Sequence, residues 1–284
     1  MPFTLAHPAA ILPLRRIRFL RTAPLVIGAV TPDVPYYLPL GPGGPLRLRL
    51  DTHSLIGSCT VDLALGLALL MAVVLLREPL TVLLPARTRW LCLEELAPFR
   101  RRATAWLLAP LAILIGVWSH LLWDSFTHPE GWAVRRIPAL SDRITIGWYT
   151  GEVFHILQYL SSALGLIILA WWYRRLRVPP GALAGDDSRR AHAGPALLLI
   201  GGAALLIGGV EALRYYSHSE GAIYQTLDVL LTRGLAWFLM LLLFAGAVVT
   251  LAIINGENSG PPPQIMMCTD NGAAVAGLSA CVVF

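Results

Sequence analysis

The sequence contains no lysine, few charged residues of any kind and no close pair of cysteines. Its 284 residues are 14% charged and 56% hydrophobic, whereas a soluble domain averages about 25% charged and about 45–50% apolar. The four cysteines form no CxxC motif, which argues against a disulfide scaffold and a cysteine-based zinc site. The composition also excludes a disordered chain, a coiled coil and an ordinary cytosolic enzyme. It indicates a multi-pass membrane protein.

Arginine supplies all 22 basic side chains, and the chain carries a formal net charge of +5. Such a charge can indicate nucleic acid binding. However, the arginines stand in short runs beside apolar segments, as in Arg100-Arg101-Arg102. This placement is typical of charge that flanks a membrane and contacts lipid headgroups. We therefore expect the lipid bilayer as a partner, and no nucleic acid.

Five apolar segments are close to the ~20 residues that a membrane-spanning helix needs. They are Leu55–Leu76, Thr104–Trp123, Val153–Tyr173, Pro195–Leu213 and Gly234–Ile254. Tryptophans near several of their ends match an aromatic belt at the membrane interface. The predicted fold is an all-α polytopic membrane helix bundle of about five transmembrane helices, with an N-terminal interfacial or re-entrant helical segment. Asp62, inside the first span, is expected to make a polar contact between helices.

The chain divides into three predicted regions. Residues 1–54 form an N-terminal interfacial cap, because their apolar stretch is too short to span and prolines follow it. Residues 55–254 form the transmembrane bundle. Residues 255–284, with three consecutive prolines, form a flexible C-terminal tail.

The distribution of arginine favours one orientation in the membrane. Arginines close to the spans favour the loops at 77–103 and 174–194 as cytoplasmic. The opposite ends of the helices then face the extracytoplasmic side of the cell membrane. Most of the histidines and several acids fall on that opposite side.

The most informative stretch is SHLLWDSFTHP, at the end of the second span. His120 and Asp124 are four residues apart, so they share a helix face and can bind one metal ion. Zinc takes histidine nitrogen and carboxylate oxygen in such sites. A hydrogen-bonded pair at a helix end is the alternative. His128 lies ~12 Å of helical rise beyond His120, and Pro129 predicts a helix end near it. A bend there could bring the ring back, or aim it at a substrate or at a second ion.

Four weaker signals lie elsewhere on the same side. The DTHS around His53 either caps a helix or delivers a ligand, and the TPD that ends at Asp33 is either a turn or a source of carboxylate. His7 either lies at a surface terminus or joins the site. Glu152 and His155 are either supporting groups or ordinary neighbours at a helix start. These signals gain weight only if the fold brings them together.

Four segments resemble an uncharacterised family of bacterial multi-pass membrane proteins, known only as a domain of unknown function. They are MPFTLAHPAAILPLRR, TPDVPYY, THSLIG and SHLLWDSFTHPEGW. The resemblance covers residues 1–175 well and the remaining spans loosely. That family is distantly similar to the membrane-bound metal-dependent hydrolases. Those hydrolases are in turn thought to be related to zinc-dependent phospholipase C and single-strand nucleases.

The resemblance implies a metal site and an activity. The hydrolase group carries an N-terminal His, a Pro-Asp turn, a Thr-His-Ser at the mouth of a span and a His-x-x-x-Asp on a later helix. The matching positions are His7, Asp33, His53, His120 and Asp124. They would hold a divalent metal, zinc or else manganese, with His128 or Glu152 as the catalytic acid or base. A phosphoester or phospholipid substrate at the membrane surface would follow.

Two departures from the hydrolase pattern affect the expected number of ions. VPYY follows the Pro-Asp turn where the group often has further acids or histidines, and RLRLD stands where a His-Arg pair is common. A single ion, with Asp51 or His128 as a substitute ligand, is therefore easier to defend than two or three.

Two alternatives to a hydrolase remain open. The first is a non-enzymatic multi-pass membrane protein that binds or transports metal, or acts as a scaffold subunit. The absence of an internal repeat weighs against transport. The second, more remote, is a haem protein with His53 and His120 as axial ligands.

Overall fold

The computed structural model describes residues 4–17, 19–37, 51–147, 149–183, 187–218 and 223–258. Nine helices lie in these ranges: α1 Thr22–Val30, α2 Val34–Tyr37, α3 Leu55–Leu75, α4 Arg77–Thr81, α5 Ala86–Arg101, α6 Ala103–Thr127, α7 Val153–Arg175, α8 Asp187–His218 and α9 Ile223–Asn258. Helices α3, α6 and α7, with Gly194–Ser217 of α8 and Val229–Asn255 of α9, are long and apolar enough to cross a membrane. The predicted all-α membrane bundle with five spans is confirmed.

The N-terminal region begins with two 3-10 segments, Thr4–Ala9 and Leu12–Arg16, each containing a proline. Proline has no backbone N–H to donate, which works against a continuous α-helix here. Helix α1 follows and packs against α6, and a third 3-10 turn, Thr31–Asp33, leads into α2. This arrangement places the described residues from Thr4 to Tyr37 against the bundle.

The backbones of α1 and α6 touch at two glycines. A Cβ atom on Gly28 would lie 2.1 Å from the carbonyl oxygen of Ile113, and one on Gly116 would lie 2.3 Å from that of Leu25. No side chain other than hydrogen fits at such a distance. Because Ile113 and Gly116 lie near the middle of α6, the short helix α1 lies beside the middle of a span. This depth favours the re-entrant alternative for the N-terminal segment.

Helix α6 is the central element of the described bundle. Its buried residues recur every three or four positions and form one stripe: Ala105, Ala109, Ala112, Ile113, Gly116, Val117, His120, Asp124 and Thr127. The first part of this stripe is small or apolar and packs into a core with Ile27, Leu70 and Phe99. The last part is polar. The change in character places a polar site at one end of an otherwise apolar helix.

Helices α8 and α9 pack mainly against each other, and α9 also packs against α4. Their shared core contains Leu83, Ile200 and Leu242. Helix α9 continues through Asn258, so the first residues of the predicted tail extend the last helix. The rest of that predicted tail, 259–284, lies outside the described residues, as do residues 38–50 of the predicted cap.

A short antiparallel hairpin between α6 and α7 was not expected from the sequence. Its strands are β1 Arg143–Ile146 and β2 Tyr149–Glu152. Gly147 lies in the turn with φ of 60°, a backbone conformation that favours glycine. Alternating Ile and Thr residues in RITI match the preference of β-branched side chains for strands. The hairpin leads directly into α7.

Candidate metal centre

Four side chains from three parts of the chain converge at the polar end of α6. Asp33, His53, His120 and Asp124 each offer one ligand atom, and these four atoms all lie within 4.8 Å of one another. Asp33 ends the third 3-10 turn, His53 lies just before α3, and the other two lie on α6. The fold therefore brings together four of the five metal ligands predicted from the sequence.

His120 and Asp124 lie one helical turn apart, with 3.2 Å between His120 Nε2 and Asp124 Oδ2. The ring of His120 is oriented from its other side, because Nδ1 lies 2.8 Å from the backbone carbonyl of Ala29. A carbonyl oxygen only accepts hydrogen bonds, so Nδ1 carries the proton and donates it. In a neutral imidazole, Nε2 then presents its lone pair to the cluster, as a metal-ligating histidine does.

Asp33 is fully buried. The Thr4 hydroxyl donates a 2.5 Å hydrogen bond to its Oδ2. Its Oδ1 lies 3.4 Å from Nε2 of His53 and 3.7 Å from Nε2 of His120. Burial alone would raise the pKa of the Asp33 carboxyl, but the two imidazoles and the Thr4 hydroxyl outweigh that effect and hold the pKa below its usual value. Asp33 therefore favours the carboxylate form that a cation requires.

The segment before α3 caps that helix and also places His53 beside the cluster. Ser54 caps the helix, since its hydroxyl oxygen accepts a 2.9 Å hydrogen bond from the N–H of Gly57. Asp51 in turn accepts a hydrogen bond from the Ser54 hydroxyl and lies outside the four-residue group. Capping needs no histidine, and His53 extends to the cluster, with Nε2 3.7 Å from Oδ2 of Asp124.

Three atoms of the cluster are buried without a hydrogen-bond partner among the described residues. They are Asp33 Oδ1, His120 Nε2 and Asp124 Oδ2. A buried polar atom left unpaired costs about 1–3 kcal/mol, and more when it is charged. These three atoms face one another, as the atoms of a set of metal ligands do.

The spacing of the ligand atoms fits a small divalent cation. The four closest nitrogen–oxygen separations in the group run from 3.2 to 3.7 Å. Ligands at about 2.0–2.1 Å from a tetrahedral zinc ion lie about 3.3 Å from one another. Two imidazole nitrogens and two carboxylate oxygens also neutralise a charge of +2. The cluster could therefore hold a divalent metal.

Asp124 contacts two further histidines through its other oxygen. Its Oδ1 lies 3.0 Å from Nε2 of His7 and 3.2 Å from Nδ1 of His128. His7 also stacks on His120 at a ring-centroid distance of 4.0 Å. His7 was expected as a ligand, and it lies beside the four-residue group rather than within it. Its role as a ligand stays a prediction.

His128 returns to the site because α6 ends before Pro129. The last helical residue is Thr127, and the backbone of His128 is extended, with φ of −126° and ψ of 146°. The end predicted from Pro129 is confirmed. The amide of Gln158, from α7, donates a 3.1 Å hydrogen bond to Nε2 of His128. Through Gln158, helix α7 thus fixes the orientation of the His128 ring.

Glu152 lies at the start of α7, and its ion pairs join it to Arg143 at 3.4 Å and to His155 at 3.2 Å. Its own backbone N–H lowers the pKa of the Glu152 carboxyl, with further contributions from Arg143 and His155. Glu152 is not among the described residues that line the cavity beside the cluster. A catalytic role for Glu152 stays a prediction.

A cavity of about 760 Å³ opens beside the cluster. Its polar end includes His53, Asp124 and His128, while Trp118, Leu122 and Trp132 contribute to its apolar wall. Asp33 and His120 are buried behind that polar end. A cation in the cluster would thus be held by Asp33 and His120, which lie outside the described cavity lining, and approached past His53 and Asp124, which belong to it.

Sequence reasoning missed the residues that support and line the site. Gln158 is a lone amide inside an apolar span, a signal that could have marked it, because polar groups are costly there. Thr4 and Trp118 gave no comparable signal. Both carboxylate oxygens of Asp62 are buried with no hydrogen-bond partner in the described part of the chain, although Asp62 interacts electrostatically with His120 on α6. Its expected polar contact with another helix stays a prediction.

The geometry also bears on the haem alternative. The rings of His53 and His120 have centroids 5.6 Å apart and meet edge to face at 69°. Axial imidazoles stand on opposite faces of a porphyrin, whereas here oxygens of Asp33 and Asp124 lie 3.2–3.7 Å from the two Nε2 atoms and occupy the space that the porphyrin plane would need.

The family described as "Domain of unknown function (DUF4184)" matches residues 1–251 of the chain, so the protein belongs to that family. The resemblance to an uncharacterised family is confirmed. No curated protein and no solved structure matches the chain. The more distant similarity to metal-dependent hydrolases stays a prediction.

Proposed function

We propose that this member of the DUF4184 family is a membrane-embedded metal-dependent hydrolase. The observation that carries the proposal is the convergence of three unpaired buried atoms, from Asp33, His120 and Asp124, beside an open cavity. Burying such atoms without a hydrogen bond is costly, and one shared cation would satisfy all three of them.

The donor set favours zinc, with manganese as the second candidate. Zinc accepts imidazole nitrogen and carboxylate oxygen in tetrahedral sites, whereas manganese favours oxygen-rich sets. When bound, such an ion lowers the pKa of a coordinated water to about 7 and polarises a phosphoryl or carbonyl oxygen. The protein's own residues supply orientation: Ala29 fixes the ring of His120, and Thr4 fixes the carboxylate of Asp33.

His128 is the better candidate for the catalytic acid or base. It borders the cavity, contacts Asp124 through Nδ1 and is held by Gln158 through Nε2. An imidazole that borders the cavity can exchange a proton with a bound substrate. Glu152 is the second candidate, and it lies outside the described lining of the cavity.

The substrate class that suits this site is a phosphoester, and in a membrane protein a phospholipid. The cavity lies where α3 begins and α6 ends, at the ends of two spans, and Arg135 stands on its lining. An arginine guanidinium matches the geometry of a phosphate group. The arginine distribution favours the extracytoplasmic face of a bacterial cell membrane for this end of the bundle.

The test begins with metal content. We would purify the protein in detergent and measure bound zinc and manganese by mass spectrometry, for the wild type and for a His120→Ala/Asp124→Ala double variant. A His155→Ala/Asp142→Ala double variant removes the same residue types outside the cluster and is the matched control. We expect about one ion per chain in the wild type and the control, and less than about a tenth of that in the cluster variant, because loss of even supporting groups costs about 10–100-fold in affinity.

Hydrolysis is measured next, on a phosphodiester and on a phospholipid, with the same three proteins. Activity that needs the ion and disappears only in the cluster variant supports a hydrolase. A bound ion without activity on any ester would favour the non-enzymatic alternative, a metal-binding or scaffold protein. Trace metal in all three proteins would contradict the metal site itself.

A further inference from the structure

The cavity beside the cluster has two chemically different ends. Its polar end contains His53, Asp124 and His128. From there the cavity extends along α6 to Trp118, six residues before Asp124, which corresponds to about 9 Å of helical rise. Its wall over that distance is apolar, with Trp118, Leu121 and Leu122 on α6 and Leu55 at the start of α3. A small water-soluble substrate would leave this apolar wall uncovered.

The lining of the cavity passes round one side of α6. His120 and Asp124 belong to the buried stripe that faces the core. Leu121 and Ser125, each one residue beyond one of these two, lie between that stripe and Trp118 and Leu122, which lie on the far side of the helix. A molecule in the cavity therefore touches Asp124 at one end and reaches the apolar side chains of the same helix by passing Leu121 and Ser125.

The apolar wall is open towards the outside of the bundle. Leu55 is 76% exposed, Leu122 is 65% exposed and Trp118 is 43% exposed. On membrane-spanning helices, exposed apolar side chains of this kind face lipid chains rather than water. Trp118 is nevertheless anchored, because its indole N–H donates a 3.0 Å hydrogen bond to the hydroxyl of Ser58 on α3. The opening thus lies beside the start of α3, and the Trp118–Ser58 hydrogen bond joins α3 to α6 next to it.

The polar end is suited to an anionic group. Arg135 borders the cavity with 63% of its side chain exposed, and its ion pair with Glu130 is long, at 3.7 Å. Asp51 and Glu130 also line the cavity, so the positive charge comes from Arg135 and from the cation in the cluster. An anion with several oxygens can reach both, as a phosphate does.

We infer that the substrate of this site is a phosphate-bearing amphiphile with a long apolar chain, and that it enters sideways from the bilayer between α3 and α6. This inference rests on the proposed hydrolase function and adds to its phosphoester substrate the seat of the apolar chain and the route of entry. The chain lies against Trp118, Leu122 and Leu55, and the phosphate lies at Asp124, His53 and Arg135. In the reaction, a water oxygen forms a bond to phosphorus, the ester P–O bond breaks, and the leaving alcohol takes up a proton.

The inference is tested by photolabelling, which does not depend on turnover. Metal-loaded protein in lipid nanodiscs is illuminated with decyl phosphate that carries a diazirine in its chain, and the labelled residues are mapped by mass spectrometry. We expect labels concentrated on residues 118–122 and at 55–56, displaced by excess decyl phosphate and not by ethyl phosphate or inorganic phosphate. Labels spread over all lipid-facing helices in proportion to their exposure would overturn the inference.

A pair of variants controls for non-specific contact with lipid. Leu122→Trp adds bulk at the opening, and Leu107→Trp adds the same bulk at a position of α6 that is 76% exposed and not part of the described cavity lining. We expect labelling at the cavity to fall by about tenfold in Leu122→Trp, the factor for losing roughly two methylene contacts. Leu107→Trp should match the wild type. An equal effect of the two variants would also overturn the inference.

Hydrolysis of two chromogenic phosphodiesters separates this inference from the proposed function. Decyl and ethyl esters of nitrophenyl phosphate share the same reacting group. We expect the ratio of kcat/KM for the decyl ester over the ethyl ester to fall by about tenfold in Leu122→Trp and to stay constant in Leu107→Trp. Activity on both esters with an unchanged ratio would leave a hydrolase without the lipid-facing site. Specific labelling without activity would leave a lipid-binding site without a hydrolase.

Discussion

The backbone carbonyl of Ala29 accepts a 2.8 Å hydrogen bond from Nδ1 of His120. This single contact joins the short helix α1 to the spanning helix α6 at the site. It fixes which ring nitrogen is protonated and therefore which one faces Asp124. The contact is within reach only because glycines allow the two helices to approach closely.

The first prediction concerns that approach. We expect Gly116→Ala to destabilise the protein by about 1–3 kcal/mol, the usual cost of overpacking, and to reduce bound metal, because the added Cβ would meet the Leu25 carbonyl at 2.3 Å. Gly202→Ala on α8 is the matched control, since nothing lies within 4 Å of its added Cβ. Thermal unfolding in detergent and metal analysis provide the measurements. Equal stability of both variants would contradict the close contact of α1 with α6.

The second prediction concerns His7. Its Nε2 lies 3.0 Å from Oδ1 of Asp124, so it orients a ligand from outside the four-residue group. Removing such a supporting partner typically weakens metal affinity by about 10–100-fold without abolishing binding. We expect His7→Ala to bind zinc in that weakened range in a competitive titration with a chelator. Complete loss of the ion at saturating zinc would instead identify His7 as a ligand.

The third prediction concerns acid stability. The folded protein holds the pKa of Asp33 below its usual value of 3.8, so the unfolded chain takes up this proton first as the pH falls. The contribution of Asp33 to the free energy of unfolding is therefore complete at neutral pH and decreases below about pH 5. We expect metal-free wild type to lose more stability between about pH 5 and 3 than Asp33→Asn, measured by thermal unfolding. Parallel loss in both proteins would argue against this role for Asp33.

The fourth prediction concerns Gln158, which holds the ring of His128 from α7. We expect Gln158→Leu to keep its metal and its folded stability while kcat for hydrolysis falls by about tenfold, a part of what a positioned acid or base contributes. The pH profile of kcat should also shift, because the donor to Nε2 of His128 is gone. A lower kcat with an unchanged profile would assign Gln158 a purely structural role.

The spans and the His120–Asp124 pair were predictable because each depends on residues close together in the sequence. Hydropathy over about twenty residues predicts a spanning helix, and a separation of four residues predicts one face. Asp33 and His53 gave only weak signals of their own and were assigned as ligands from a resemblance. The packing of α1 on α6 brings Asp33 to the pair, and the start of α3 places His53 beside it. That packing depends on Gly28 and Gly116, which sequence alone does not connect.

The cavity was not predictable in the same way. Its lining combines the start of α3, one side of α6 and the loop after α6, and the positions of Trp118 and Leu122 within ordinary apolar runs carry no sign of it. The local backbone at Asp62 was not predictable either. The turn of α3 around Asp62 is a π-helix, Ser58–Asp62, which apolar periodicity does not reveal.

The division of the candidate ligands between the segments before α3 and the later span α6 has a consequence for biosynthesis. The ribosome completes Asp33 and His53 before it makes His120 and Asp124, so a nascent chain that stops within the first span has only half of the cluster. A cation bound by all four residues can be held only after α6 has been inserted and α1 has packed against it. Metal content would then report on whether the N-terminal part of the bundle is correctly assembled.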